Sequence, residues 1–436
     1  MGFTVMPPLP EGFKKEILAI PCIDGEALLR SLDEKPIIGI RLNPGKPTNL
    51  FKNEEPVDGC PCGKILPNRP NFAAMPQWHC GAFYVQEPSS MHHGALLVQA
   101  IRETGAKSVR ILDMCAAPGG KTTAMSAAMP DGSFLVANEF DSRRAWILNE
   151  NVMKWGTPGV AVISSSTDKI AASAPEAFDV VVVDAPCSGE GMMRREAEAR
   201  RQWTPELVEQ CAAHQRKILS DAYETLRPGG VLIYSTCTFN LKENEENAAW
   251  AADELALEPI SEAHRYMPHL DRGEGLFTAM FRKPAYASGR ALRLKPARKA
   301  KLPDGWLACA CDGMTDSNGS LWGITSEHLD FTAYLASKLN MLAPGIPVAV
   351  AKGRNLAPAP ELALSQALQR DAFPIAELPL DQALAYLRRE TIVLPADIPK
   401  GFVIATYDNL PLGFLNNLGT RANNLYPSQW RLRTKL

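Results

Sequence analysis

Between about residue 100 and residue 260, short β-rich runs alternate with helical stretches, and no other feature of the chain narrows its fold as far. The runs are Val109–Asp113, Phe134–Ala137, Val160–Ile163, Phe178–Asp184 and Val231–Ser235. The helical stretches include Thr122–Met129, Arg143–Lys154, Pro205–Leu226 and Asn244–Leu257. Short apolar runs separated by helices predict a parallel sheet covered on both faces, because only such burial suits strands without an alternating polar face. That is the doubly wound α/β layout, which binds ligands at the carboxyl ends of its strands. With 436 residues, the chain has room for further units on either side of such a domain. Proline marks them: the 35 prolines cluster in residues 1–90, around 284–303 and in 344–411.

The first run leads into Met114-Cys115-Ala116-Ala117-Pro118-Gly119-Gly120-Lys121-Thr122-Thr123. A strand, a Gly-rich turn and a helix in that order make a ligand cradle at the sheet edge. A Walker loop needs a glycine five positions before Gly120, where Cys115 stands, and no G-x-G-x-x-G is present. Neither a nucleoside triphosphate nor NAD is favoured. Glu139 follows the second run, 26 residues after Asp113, where a carboxylate is placed to bind two ribose hydroxyls. A nucleoside without phosphates fits both features.

Two cysteines follow runs at the same edge. Cys187 stands in Asp184-Ala185-Pro186-Cys187-Ser188-Gly189 and Cys237 in Tyr234-Ser235-Thr236-Cys237-Thr238. They are 50 residues apart, room for one helix and one strand, so neighbouring parallel strands can bring both thiols to one cleft. Spacing does not decide which of the two attacks a substrate.

The strings MCAAPGGKTT, DAPCSGEGMMRR and YSTCTFNLKENE occur in this order around one α/β domain. Together they resemble the RNA cytosine-5 methyltransferase family of the Sun group. GAFYVQEPSSM before them, and LPLGF and NLYPSQWRLR after them, extend the resemblance over nearly the full length, toward the bacterial branch acting on small-subunit ribosomal RNA. The resemblance implies a Rossmann-like S-adenosylmethionine-dependent methyltransferase domain over residues 86–285. A small N-terminal α+β domain and linker would occupy 1–85, a basic linker 286–304, and a PUA-like, β-rich RNA-binding domain 305–436. It also implies that Cys115, Ala116, Ala117, Pro118, Gly119, Gly120 and Lys121 wrap the cofactor and that Glu139 binds its ribose. Asp184 would lie beside the cofactor's methionine and the target base, which Lys121 also approaches. The family's acid near the adenine, about 18 residues before Asp184, is Ser166 here, with Asp168 two residues later; either can make that contact.

The chemistry suits two thiols. Carbon 5 of cytosine is a poor nucleophile until a thiolate adds at carbon 6, which splits one hard step into easier ones. A buried acid beside ring nitrogen 3 stabilises the charge that this addition creates. The resemblance names Cys237 as the nucleophile and gives Cys187 a role in releasing product, whereas the corresponding DNA enzymes would nominate Cys187. The Asn/Asp-Pro-Pro-aromatic string of exocyclic amine methylation is absent.

Charge bears on the partner. Lys plus Arg is 46 and Asp plus Glu 48, a net charge of −2, which excludes a uniformly basic coat but not a basic face. Leu276–Pro303 holds eight bases and no acid (Arg282, Lys283, Arg290, Arg293, Lys295, Arg298, Lys299, Lys301) and reads as a linker able to touch phosphate. Arg194, Arg195, Arg200, Arg201 and Trp203 read either as a solvated charged face or as an RNA-contacting loop over the site. The tail residues Arg421, Asn423, Asn424, Tyr426, Arg431, Arg433 and Lys435 read as a further RNA contact. Phe83, Tyr84 and Gln86 read as a linker packed on the core, and His92 and His93 as structural residues opening a helix. Cys60, Cys62, His79, Cys80, Cys309 and Cys311 lack zinc-knuckle spacing, and no metal is expected.

No run of 18 apolar residues and no export signal are seen, so no membrane segment is expected, and ten cysteines point to a reducing cytoplasm. The expectation is a monomeric enzyme that methylates carbon 5 of cytidine in ribosomal RNA through a covalent cysteine adduct. A transfer-RNA substrate, or a catalytically idle RNA-binding assembly factor, are the alternatives; intact Lys121, Asp184, Cys187 and Cys237 count against the last.

Overall fold

A computed structural model describes residues 6–21, 23–285, 292–352 and 355–433. Two short helices, Glu11–Leu18 and Gly25–Ser31, precede a four-stranded antiparallel sheet. Its strands are β1 (Ile38–Leu42), β2 (Glu55–Val57), β3 (Cys60–Leu66) and β4 (Phe83–Val85), in the order β2-β3-β1-β4.

The apolar runs of the middle region become the strands of the central sheet. These are β5 (Arg110–Asp113), β6 (Phe134–Asn138), β7 (Val160–Ile163), β8 (Phe178–Asp184) and β9 (Leu226–Thr236), followed by β10 (Glu258–Pro259), β11 (His264–Tyr266) and β12 (Leu276–Arg282). The order is β10-β12-β9-β8-β5-β6-β7, with β5 to β9 parallel and β12 antiparallel to β9. All residues of β6 and β7 are buried, as a doubly covered sheet requires. The helices obey local capping rules. Asp141 accepts from the backbone N–H groups of Arg143 and Arg144 at 2.9 Å and opens Ser142–Trp155; Thr204 accepts from Leu207 at 3.1 Å and opens Pro205–Thr225.

Two expectations need correction. The acid-free stretch Leu276–Pro303 does not begin as a linker: Leu276–Arg282 is the buried strand β12. Its bases Arg282 and Lys283 are engaged, Arg282 with Glu103 at 2.6 Å and Lys283 with the carbonyls of Tyr223 and Leu226 at 2.9 and 2.8 Å. Arg290 lies outside the described residues. Nor do the last 130 residues stand apart. Helix Leu329–Lys338 buries Phe331 and Leu335 in the core of the central sheet, and Met341–Ala343 adds to that sheet as an antiparallel strand beside β7. Apolar residues on that helix face find their burial across the expected boundary.

Beyond this, Cys311–Thr315, Ser320–Thr325, Ile346–Lys352 and Asn355–Pro358 form one antiparallel sheet. Ile375–Glu377, Gly401–Tyr407, Leu410–Asn417 and Ala422–Asn424 form a second, mixed sheet with helix Leu380–Leu387 against it. Of the tail residues, Arg421, Asn423, Arg431 and Arg433 are exposed, but Tyr426 is core, its ring packed between Tyr386 and Trp430. Lys435 lies outside the described residues. Among the described residues no helix is long and apolar enough to cross a membrane, and no cluster of three His, Cys, Asp or Glu could hold a metal.

Candidate active site

The loop after β5 is held from below and from the N-terminal unit. Met114 N–H donates to the Val182 carbonyl at 2.9 Å and Ala116 N–H to that of Asn138 at 2.7 Å. Gly119 turns the chain with φ 108°, a left-handed conformation, and a Cβ there would lie 3.2 Å from Leu148. Arg41, on β1, is buried and donates to the Thr123 hydroxyl at 2.6 Å and the Gly120 carbonyl at 3.2 Å, with its guanidinium stacked 4.3 Å from the Trp155 ring. Gln86 accepts from Arg41 at 2.9 Å, Phe83 is buried, and the Tyr84 hydroxyl donates to the Pro118 carbonyl at 3.4 Å. The linker is therefore part of the loop's support.

A cavity of about 680 Å³ opens between this loop and the ends of β6, β7, β8 and β9. Cys115 and Ala117 line it, whereas Ala116, Pro118, Gly119 and Gly120 shape the turn behind them. Glu139 lines it with one carboxylate oxygen accepting from Asp141 N–H at 2.9 Å and the other 3.2 Å from Arg144. Ser166 and Asp168 both reach the cavity, and a hydrogen bond from Ser166 leads the causes that hold the Asp168 carboxyl low. Phe140, Arg144 and Asp221, which sequence reasoning missed, line it too. Burial pushes the Asp221 carboxyl up.

At the far end stand Asp184, Cys187 and Cys237. The parallel register pairs Asp184 with Ser235, so the segments leaving β8 and β9 run side by side. The two sulfurs are 3.2 Å apart. The hydrogen bond to Cys237 and then burial push the Cys187 thiol well up. Lys121 Nζ donates to Asp184 Oδ2 at 2.5 Å. Burial alone would lower the lysine's pKa; the facing Asp184 carboxylate reverses that and holds it above the ordinary value. Ser235 donates to Asp184 Oδ1 at 2.9 Å. Beneath lies Asp113, pushed up to about 7 by burial, with Oδ2 accepting from Thr122 at 2.7 Å and Oδ1 buried without a partner.

Two buried acids fix the thiol-bearing segments to each other. Glu190 accepts from the backbone N–H groups of Phe239 and Asn240 at 2.6 and 3.0 Å, and from Trp203 Nε1 at 2.9 Å. Glu243 accepts from Ser188 N–H at 3.0 Å and Gln215 at 2.7 Å. Gly191 N–H donates to the Cys237 carbonyl at 2.8 Å, and a Cβ at Gly191 would lie 2.7 Å from that oxygen. Such acids gave no signal beyond their place inside the DAPCSGEG and NLKENE strings.

The arginine-rich segment is corrected in part. Arg200 is buried and donates to the carbonyls of Leu32, Met193 and Pro7 at 2.6, 2.7 and 2.8 Å, and to Asp33 at 2.8 Å. Arg194 is buried against Glu34 and the Gly273 carbonyl, and Trp203 packs edge-on to Phe13 at 5.6 Å. These three clamp the N-terminal helices to the catalytic unit; only Arg195 and Arg201 face solvent.

Comparison with known proteins places this arrangement. Models described as "16S rRNA methyltransferase RsmB/F", the "N-terminal domain of 16S rRNA methyltransferase RsmF" and the "Methyltransferase RsmF PUA domain" match residues 103–282, 9–88 and 373–432. The ribosomal RNA small subunit methyltransferase F of Cronobacter sakazakii is 32% identical over 411 residues, covering 86% of this chain and 84% of that protein. Its counterpart from Escherichia fergusonii is 32% identical, covering 80% and 78%. A solved methyltransferase homologue from Pyrococcus horikoshii superposes with a TM-score of 0.54 at 26% identity, over 63% of this chain and 95% of that one. With all three family models in chain order, and full-length relatives at this identity, the chain belongs to the 16S rRNA methyltransferase RsmB/F family of S-adenosylmethionine-dependent enzymes.

Proposed function

We propose that this protein methylates carbon 5 of a cytidine in small-subunit ribosomal RNA through a covalent adduct on Cys237. The observation that carries the reading is the thiol pair 3.2 Å apart, beside the Lys121–Asp184 ion pair, at one end of a nucleoside-sized cavity. The residues present fit S-adenosylmethionine. Glu139 offers a carboxylate to ribose hydroxyls, and Ser166 and Asp168 offer acceptors to an adenine, all three lining the one cavity. When bound, the cofactor supplies an electrophilic methyl group on a sulfonium.

The protein's own groups do the rest. Cys237 forms a bond from sulfur to carbon 6 of the ring, and the displaced π electrons make carbon 5 nucleophilic. Lys121 and Asp184 meet the charge that moves toward ring nitrogen 3. Once carbon 5 is methylated its proton passes to solvent water, the electron pair of that C–H bond reforms the carbon 5–carbon 6 double bond, and the carbon 6–sulfur bond breaks to return Cys237 as a thiolate. Cys187, its sulfur 3.2 Å from that of Cys237, stands against the leaving group. A pyrimidine carbon is unreachable inside a stack, so the target cytidine is unpaired or flipped. Exposed Arg293, Lys295, Arg298, Lys299 and Lys301, with Arg421, Arg431 and Arg433, offer contacts to RNA phosphates. The reading places the enzyme in a reducing compartment such as the cytoplasm, because an oxidised pair would leave no nucleophile.

The test is methyl transfer from labelled cofactor to small-subunit RNA or immature subunits, with the product nucleoside mapped. The expected product is 5-methylcytidine. Label on a purine, or transfer to transfer RNA alone, overturns the reading.

A further inference from the structure

His93 opens helix His93–Thr104 and is wholly buried. Its Nε2 lies 3.0 Å from the Ser235 hydroxyl, and its Nδ1 lies 3.2 Å from the Ser90 carbonyl. Ser235 in turn reaches Asp184 Oδ1 at 2.9 Å, while Lys121 holds Oδ2 at 2.5 Å. The side chains form one unbranched line, His93–Ser235–Asp184–Lys121, running from the interior to the reacting base. We infer that His93 is a positioning residue for Asp184, acting through the Ser235 hydroxyl. The inference rests on the reading of Asp184 given above.

Hydrogen counting supports it. Burial, ahead of the Lys121 charge, pushes His93 down to about 3, so the imidazole is neutral and carries one ring hydrogen. Ser235 also has one. While Asp184 is a carboxylate, Ser235 spends its hydrogen on Oδ1 and accepts from Nε2–H, the tautomer that leaves Nδ1 bare against the Ser90 carbonyl. If Asp184 carries a proton on Oδ1, Ser235 becomes the acceptor there and must donate backward, to a bare Nε2; the ring hydrogen then sits on Nδ1, toward the Ser90 carbonyl. An imidazole serves both patterns, so Asp184 keeps its orientation whichever form turnover requires. An aliphatic side chain would leave Ser235 free to rotate away. In sequence His93 shows only a helix-opening position; its partner lies 142 residues away.

The experiment compares two amides. His93→Gln is long enough to reach Ser235 and can donate or accept. His93→Asn is short, and its amide reaches only as far as the Ser90 side. Both are measured in full-length protein for methyl transfer to small-subunit RNA and for binding of S-adenosylhomocysteine. We expect His93→Gln to keep kcat within about fivefold of the native enzyme and His93→Asn to lose roughly 30-fold, below the ~10²–10³-fold cost of removing an oxyanion donor itself, with KM for RNA and cofactor-product affinity unchanged. In a Ser235→Ala background the two should be equal. Equal kcat for the two single variants, or a difference that survives Ser235→Ala, overturns the inference. Asp184→Asn is the control: full activity there would refute the Asp184 reading itself, whatever the amides show.

Discussion

Cys187 and Cys237 lie 3.2 Å apart in the central cleft, and Cys309 and Cys311 lie 2.9 Å apart where the C-terminal unit begins its first strand. By distance alone the second pair is the better dithiol. Their surroundings separate them. The first pair bridges two parallel strand ends, 50 residues apart in sequence, and is locked there by Glu190 and Glu243. It faces a cavity of about 680 Å³ containing Asp184, whose carboxylate Lys121 holds. The second pair is made by two residues of one short segment. Cys309 lines a crevice of about 520 Å³ whose walls carry no lysine or arginine among the described residues. Proximity of sulfurs is cheap for a C-x-C segment. Proximity across a sheet, with a charge-stabilising partner and room for a ring, has to be built.

The sharpest way to break this contrast is to remove one sulfur at a time. Cys237→Ser should lower methyl transfer by on the order of 10³-fold or more. Cys187→Ser should instead accumulate a trapped RNA–protein adduct, visible as a slow band on denaturing gels. Adduct with Cys237→Ser and none with Cys187→Ser would exchange the two roles. Cys309→Ser and Cys311→Ser should each leave turnover within about twofold, as expected of thiols away from the reacting atoms.

Next in size is the charge partner. Asp184→Asn keeps the shape but loses the carboxylate that Lys121 faces, and we expect kcat to fall by about 10²–10³-fold with cofactor-product binding little changed. A matching loss in binding would move Asp184 from the chemistry to the cofactor. Smaller again is the frame. Glu190→Gln weakens charge-assisted bonds to two backbone N–H groups and Trp203, at a cost of about 2–4 kcal/mol in stability. Because those bonds set the segment after Cys237 against the one after Cys187, kcat should drop by about tenfold even where the protein remains folded. Unfolding by denaturant, read beside single-turnover rates, separates the two effects.

This difference between groups and frame also separates what is legible in the amino-acid sequence from what is not. The strands Val160–Ile163 and Phe178–Asp184 were legible because a buried parallel strand must be apolar throughout. The thiol pair was legible because each cysteine closely follows such a run, and adjacent parallel strands align their ends. Glu190, Glu243 and His93 were not, because a polar residue buried with partners looks the same in sequence as one facing water. Arg200 carried the wrong signal for that reason: its charge suggested RNA, while its four hydrogen bonds serve three backbone carbonyls and Asp33. Met341–Ala343 was hidden differently, since an edge strand's partner lies nearly 180 residues back and its own three residues carry no periodicity.

The smallest expected effect on catalysis belongs to the C-terminal pair, and it tests the contrast from the other side. A hydrogen bond from Cys311 lowers the Cys309 thiol to about 7, and pushes the Cys311 thiol up. Cys309 is half-buried rather than sealed. The thiolate is the reacting form, and its fraction rises with pH through the pKa. Alkylation of Cys309 by iodoacetamide should therefore accelerate between about pH 6 and pH 8 and then level off, where an ordinary thiol would still be gaining. Cys311→Ser removes the thiol donor and should return the rising limb toward the usual cysteine range near 8.5. Mapped by peptide mass, modification of Cys309 alone should leave methyl transfer within about twofold. If it abolished transfer instead, the crevice would belong to the RNA path, and a lowered thiol pKa would have marked function where the missing charge partner and cavity argue against it.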